Sequence, residues 1–237
     1  MVLGVEEAAD RLGVSRHRVR QLIRSRLLAA ERVSGRYVVD EAGVDALTQF
    51  DRPAHVRSFS RRIAWACAAA ADGVAPVWVT HSEAARLRAR MDALPSDAAG
   101  WVARLRARAA NTVTLRAGRM QLPRLLSDER VARSGVTATN VVRDAQVSGD
   151  EAELWVQTDA ELSSLRTSLG LLPSTAGNLT IRSAHVTGLT SLGSGDGNAF
   201  RLIVAADLLN GRDARARYAG QELLETALGE RRWRRSS

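Results

Sequence analysis

Across residues 5–47 the spacing of apolar side chains changes period, from helical to alternating and back, and few folds accommodate that change in so short a stretch. Ala8, Ala9 and Leu12 recur at helical spacing and predict a helix over 6–12 that leaves through Gly13. Ser15 stands as the N-cap of a second helix, Arg16–Arg24, its hydroxyl placed to accept from an unpaired N–H of the first turn. On that helix Val19, Leu22 and Ile23 share the face that packs against Ala8, Ala9 and Leu12. Past Leu27 and Leu28 the period drops to two. A hairpin is predicted from 30–33 and 36–39 around Ser34 and Gly35, with Gly35 supplying the positive φ of a tight turn and Tyr37 and Val39 pointing inward. Asp40 then caps a further helix carrying Val44 and Leu47.

The second helix turns His17, Arg20, Gln21 and Arg24 outward at i, i+3, i+4 and i+7, with Arg16 at its start. Arginine pairs with guanine O6 and N7 and glutamine with adenine N6 and N7, so this face has the chemistry to read a major groove. Arg36, beside the hairpin tip, is placed for a phosphate or minor-groove contact. A polar helix face is ordinarily just solvated, but two helices followed by a hairpin, in this order, read as a winged helix-turn-helix. The stretch resembles the excisionase and MerR-type DNA-binding domains, in its Leu-Gly-Val-Ser turn at 12–15 and its Gly-Arg-Tyr wing at 35–37. It departs from them at Ser25-Arg26, where that group often has Ser-Gly or Asp-Gly, which implies a less sharp helix exit.

All 34 basic residues are arginine, the bias expected of a GC-rich coding sequence. The net charge of +8 is uneven: residues 1–50 carry +1, residues 51–145 carry +8 and residues 146–237 carry −1. A basic middle segment suits phosphates, RNA or an acidic protein alike. In that segment Trp101, Leu105 and Ala109 form an apolar stripe on a helix predicted over 97–108, leaving Arg104, Arg106 and Arg108 as possible phosphate contacts. The single cysteine, Cys67, excludes an intramolecular disulfide and a thiol-rich zinc site, and its apolar surroundings predict burial. Without an 18-residue apolar run or a signal-peptide pattern, the chain is expected to be cytoplasmic, with no membrane partner.

The fold class expected is α+β: a winged helix-turn-helix at 1–50, a linker at Asp51-Arg-Pro-Ala, a connecting helix within 51–73, and a mixed α+β domain at 74–237 ending in a basic tail. Helices are predicted over 58–71, 81–93, 123–133 and 159–169, and strands over 112–115, 153–157, 179–183 and 184–187. The Gly- and Ser-rich 188–198 is predicted as a mobile loop. The apolar run 200–209 fits either helix or strand, and Asp213 caps a last helix with Ala216, Ala219, Leu223 and Ala227 inward.

Three further segments, Ser60-Arg-Arg-Ile-Ala-Trp-Ala at 60–66, 126–135 and 207–224, resemble those that follow an excisionase-type head in actinobacterial proteins. The last two are similar to the carboxy-terminal domain of AbiEi-type antitoxins, with Asp207, Asp213 and Arg215 as motif positions. That resemblance implies a transcriptional repressor of its own promoter, with a nucleotidyltransferase-like toxin encoded in the same operon; separately, one small head offers few base contacts, so a dimer on double-stranded DNA is expected. A ligand-responsive transcription factor with a preformed apolar pocket carrying a few polar groups, or an excisionase-like protein with no toxin partner, is the alternative. An enzyme is disfavoured: His17, His55, His81 and His185 lack metal-ligand spacing, the glycines at 193–198 lack the lysine of a phosphate loop, and no cofactor or metal is implied.

Overall fold

Helix α1 (Val5–Leu12) starts one residue earlier than its apolar spacing suggests, because Glu7 reaches back to accept the Gly4 N–H at 2.8 Å. The Val14 N–H closes on the Ala9 carbonyl at 3.0 Å, and helix α2 (Arg16–Arg24) begins at the expected position. A computed structural model describes residues 2–12, 14–24, 28, 30–33, 35–41, 43–44, 56–94, 97–138, 151–211 and 213–229. Gly13, the Ser25-Arg26 exit, Leu27, Ser34, Leu47, the 51–54 linker and the basic tail lie outside the described residues, as do the side chains of Arg24 and Arg36.

The chain divides into two units, Met1–Val56 and Arg57–Ser237. In the smaller, β2 (Ala30–Val33) and β3 (Arg36–Asp40) pair antiparallel with Val33 opposite Arg36, so two residues make the turn, and Gly35 there has φ 81°. A strand that periodicity did not reveal, β1 (Val2–Gly4), adds to the other edge of β3 and gives the order β1-β3-β2. Three residues are too few to show a period. Glu41, Gly43 and Val44 are helical, and Arg11 binds Glu41 at 2.7 Å, tying this segment to α1. Leu3, Ala8, Ala9, Val19, Leu22, Leu28, Val39 and Val44 are buried together as the core. Tyr37 departs from the inward expectation at 41% exposure, because β1 lies opposite Val38 to Asp40 and stops short of the wing tip.

The larger unit is built on a five-stranded sheet of order β5-β6-β8-β4-β7: β4 (Asn111–Arg116), β5 (Ala132–Ser134), β6 (Ala152–Val156), β7 (Leu172–Pro173) and β8 (Leu179–Ser183). Strands β6 and β8 are parallel; the other pairs are antiparallel. Strand alternation divides the residues between two layers. Ala152, Leu154, Val156, Leu179 and Ile181 pack with Leu125 of α6 (Gln121–Leu126) and Leu162 and Leu165 of α7 (Asp159–Ser168). Glu153, Trp155 and Arg182 occupy the alternate positions, where Trp155 stacks edge-on to Trp65 with ring centroids 5.1 Å apart.

Trp65 belongs to α3 (Arg61–Ala71), which was predicted as a connecting element and is instead buried within the larger unit from Ala64 to Ala71. Its Ala and Cys side chains let neighbours approach closely, and Cys67 is among the buried residues. Helices α4 (His81–Ala93) and α5 (Ala98–Arg104) follow, capped by Thr80 and Asp97, and a 3-10 turn over Arg106–Arg108 replaces the end of the single helix predicted to 108. The apolar run becomes helix α8 (Arg201–Leu209), buried from Leu202 to Leu209, and α9 (Ala214–Gly229) packs on it at Gly220, where a Cβ would lie 2.8 Å from that of Leu208. Asp213 accepts the Ala216 N–H at 3.1 Å, as a cap should.

Three predicted elements are corrected. The helix over 123–133 stops at Leu126, since Asp128 accepts the backbone N–H of Arg130 and its carbonyl takes that of Val131, turning the chain into β5 against β6. The strand over 184–187 is absent: Ala184 and His185 donate to Val156 and Gln157, then the backbone leaves through a positive φ at His185. The 188–198 segment is irregular as expected but anchored, with Leu189, Leu192 and Asn198 buried and Arg133 donating to the carbonyls of Asp196 and Gly197 at 3.0 and 3.3 Å.

Candidate nucleic-acid interface

Burial fixes which side of α2 is available. Val19 and Leu22 are in the core, which turns Arg16, His17, Arg20 and Gln21 to the exposed side of a helix that cannot rotate without losing those contacts. Ser15 occupies the N-cap position, its carbonyl accepting the first helical bond from the Val19 N–H at 3.1 Å. Arg16 lies 3.2 Å from Glu6 of α1, both about two-thirds exposed, a surface pair that contributes roughly 0–1 kcal/mol and leaves the guanidinium able to exchange partners. Gln21 places its Nε2 at 3.2 Å from His17 Nε2, one turn apart on the same face. Arg24 ends α2, and Arg36 begins β3 immediately after the turn glycine.

The three arginines expected at phosphates separate by environment. Arg106 is exposed and Arg104 half-buried, its Nη1 shut away beside Gly100 without a hydrogen-bond partner. Arg108 is a correction: it is 5% exposed, and its Nε and Nη2 donate to Asp207 Oδ1 at 3.2 and 2.5 Å while Nη1 donates to the Leu105 carbonyl. A guanidinium spent on a buried carboxylate has nothing left for DNA.

Asp207 is the centre of that interior. Its Oδ2 accepts from Ser134 Oγ at 2.5 Å and Trp155 Nε1 at 2.7 Å and lies 3.7 Å from Arg182 Nη1, which also binds Glu153 at 2.7 Å. Burial alone would raise the Asp207 pKa, but attraction to Arg182 and Arg108 and the hydrogen bonds from Ser134 and Trp155 prevail and hold it below the ordinary aspartate range. Glu153 goes the other way: burial pushes its carboxyl up, and Arg182 only partly offsets this while Asp207 adds repulsion. The signal that could have found this role is a lone acid inside an otherwise apolar run, since a buried carboxylate is costly unless it is paired and hydrogen-bonded.

A cleft of about 630 Å³ opens elsewhere in this unit, between 126–132 and 190–198. Its walls mix Leu126, Val131 and Leu192 with Asp128, Arg130 and Glu161. Among the described residues no three His, Cys, Asp or Glu side chains converge as a metal site, and no helix is long and apolar enough to cross a membrane.

A family model described as a helix-turn-helix domain matches residues 2–50. No curated protein and no solved structure matches the chain. The match coincides with the smaller unit and marks it as a helix-turn-helix head, the kind of domain that equips regulators to bind DNA.

Proposed function

We propose that the chain is a sequence-specific transcriptional repressor that reads double-stranded DNA through the exposed face of α2. The observation that carries this is the placement of Arg20 and Gln21, exposed in mid-helix opposite a buried face, inside a helix-turn-helix head. Arg16, His17 and Arg24 support them, and Arg36 on the wing contacts the backbone. One such head makes few base contacts, so binding takes two copies on half-sites about one helical turn apart. Selection from random duplexes by the full chain tests this: a recurring motif with two such half-sites is expected, and retention of specific binding after deletion of residues 1–50 would overturn it.

The finer reading, a cytoplasmic antitoxin that represses its own operon, is supported by the resemblance at 126–135 and 207–224. Its motif positions Asp207 and Asp213 serve the fold, as a buried charge centre and a helix cap, so no partner-facing residue is assigned. Growth rescue on co-expression with an adjacent nucleotidyltransferase-like gene tests it, and a full-length chain that gives no rescue refutes it.

A further inference from the structure

Asn198 lines the cleft between 126–132 and 190–198, and one of its polar groups is left over. The residue is 2% exposed. Its backbone N–H donates to Asp196 Oδ1 at 3.0 Å and its Nδ2 to Asp196 Oδ2 at 2.9 Å, which fixes the amide, while its Oδ1 is shut from solvent with no hydrogen-bond donor among the described residues. A buried carbonyl in that state is uncommon, because its lost hydration is not replaced. The surrounding loop is braced: the Arg133 N–H donates to the Gly197 carbonyl at 2.9 Å, the Ala199 N–H to the Arg133 carbonyl at 2.8 Å, and the backbone of Asn198 leaves no room for a Cβ at Gly193.

The rest of the lining indicates which donor fits. Glu161 Oε2 accepts the backbone N–H groups of Gln157 and Thr158 at 2.8 and 3.0 Å, so this carboxylate is held at the wall with Oε1 outside those bonds. Arg130 donates through Nε and Nη2 to Asp128 at 2.8 and 2.6 Å, which matches the cation of the lining to one of its acids and leaves a surplus of negative charge from Glu129 and Glu161. Leu126, Val131 and Leu192 add apolar wall. We propose that this cleft binds a small aliphatic amine. Its ammonium brings three N–H donors and a positive charge to the Asn198 carbonyl and the Glu161 carboxylate, and its hydrocarbon lies against the three apolar side chains. At about 630 Å³ the cleft has the size of a small-molecule site. A neutral polyol offers donors too, but gains nothing from the surplus negative charge. The site involves no residue of α2, so it and the DNA-reading assignment stand or fall separately.

The experiment titrates the full chain with linear diaminobutane by calorimetry at constant ionic strength, with linear butanediol as the uncharged match. One-to-one binding with a Kd below about 1 mM is expected for the diamine, within what so small a ligand can supply, and none for the diol. Amide chemical shifts recorded during the titration should move at 126–132, 157–161 and 190–198. Glu161→Gln keeps an acceptor for the capping N–H groups while removing the charge, so it should fold as wild type does and bind the diamine at least about fivefold more weakly. Asn198→Ala, which removes the unpartnered oxygen, should weaken binding similarly; if that variant does not fold, Glu161→Gln still decides. Absence of saturation by about 10 mM diamine, equal binding of the diol, shifts confined to other residues, or unchanged affinity in Glu161→Gln overturns the proposal. N-acetyl-lysine methylamide presents the same ammonium from a peptide backbone and should bind more weakly than the diamine; tighter binding would give the cleft to a lysine of a protein and overturn the small-amine reading.

Discussion

Arginines on the two units of this protein illustrate two fates of one side chain. On α2 of the head, Arg16 and Arg20 are exposed, and Glu6, which pairs with Arg16, is itself solvent-accessible. In the larger unit Arg108 and Arg182 converge on Asp207, desolvated and hydrogen-bonded by the fold itself. Net charge by segment suggests the opposite allocation, since residues 51–145 carry +8 and the head region only +1. Charge therefore locates a binding surface only after the guanidiniums consumed inside the protein have been set aside.

The sharpest way to break this contrast is to remove the buried carboxylate. Asp207→Ala removes the carboxylate that Arg108 pairs with and the second one that Arg182 faces beside Glu153, and should destabilise the larger unit by roughly 3–5 kcal/mol, measured by denaturant unfolding. A loss below about 1 kcal/mol would mean that the arginines find other partners and that their burial is incidental. The same network predicts acid sensitivity. Because the Asp207 pKa is depressed in the fold, its stabilisation is present above the ordinary aspartate range and is lost as pH falls through its lower folded value. Glu153, with a raised pKa, contributes in the opposite sense. Asp207→Asn should therefore flatten the fall in stability below about pH 4, and an unaltered acid limb would point to other carboxylates.

Arginine on the head gives the reverse pattern. Arg20→Ala should weaken binding to the selected site by about 1–3 kcal/mol and relax specificity at one base pair, with the melting temperature unchanged. Arg36→Ala should weaken all sequences alike. Footprinting across single-base variants separates the two, and a uniform loss in Arg20→Ala would move Arg20 to the phosphate class.

Arg106 tests where the exposed arginines of the larger unit belong. Arg106→Ala should reduce the slope of log affinity against log salt by about 0.9 if it meets a phosphate; no change in slope would return it to ordinary solvated surface. The smallest effect is expected at Glu83, which the Arg62 guanidinium, aided by Thr80, holds down to about 2. That partly solvated pair should lose its contribution only as pH falls from the ordinary glutamate range through about 2, and screening by solvent leaves Glu83→Gln expected to move the unfolding midpoint at pH 7 only slightly. Carboxyl chemical shifts recorded against pH check the value directly, and an ordinary midpoint would show that the pair does not persist in solution.

Much of the head was legible from sequence because its determinants are local. Ser15, the 3.6-residue spacing of Val19, Leu22 and Ile23, and a glycine at the turn specify α2 and the hairpin within a few residues of themselves. The exposed reading face follows as the complement of that spacing. The missed or misplaced features depended on partners distant in the chain, or on elements too short to show a period, such as β1.

By itself, the sequence determined a helix-turn-helix head with a wing, a second α+β body, and the positions of α3, α4, α7 and β8 to within a residue or a few. Tertiary structure alone decided that 132–134 pairs as a strand, that Tyr37 remains at the surface, and that Arg108 turns inward to a carboxylate 99 residues away. The physical reason is that helix periods and caps act over one or two turns. The choice between strand and helix at a sheet edge, or between solvent and salt bridge for a guanidinium, instead depends on groups that only the folded chain brings within reach.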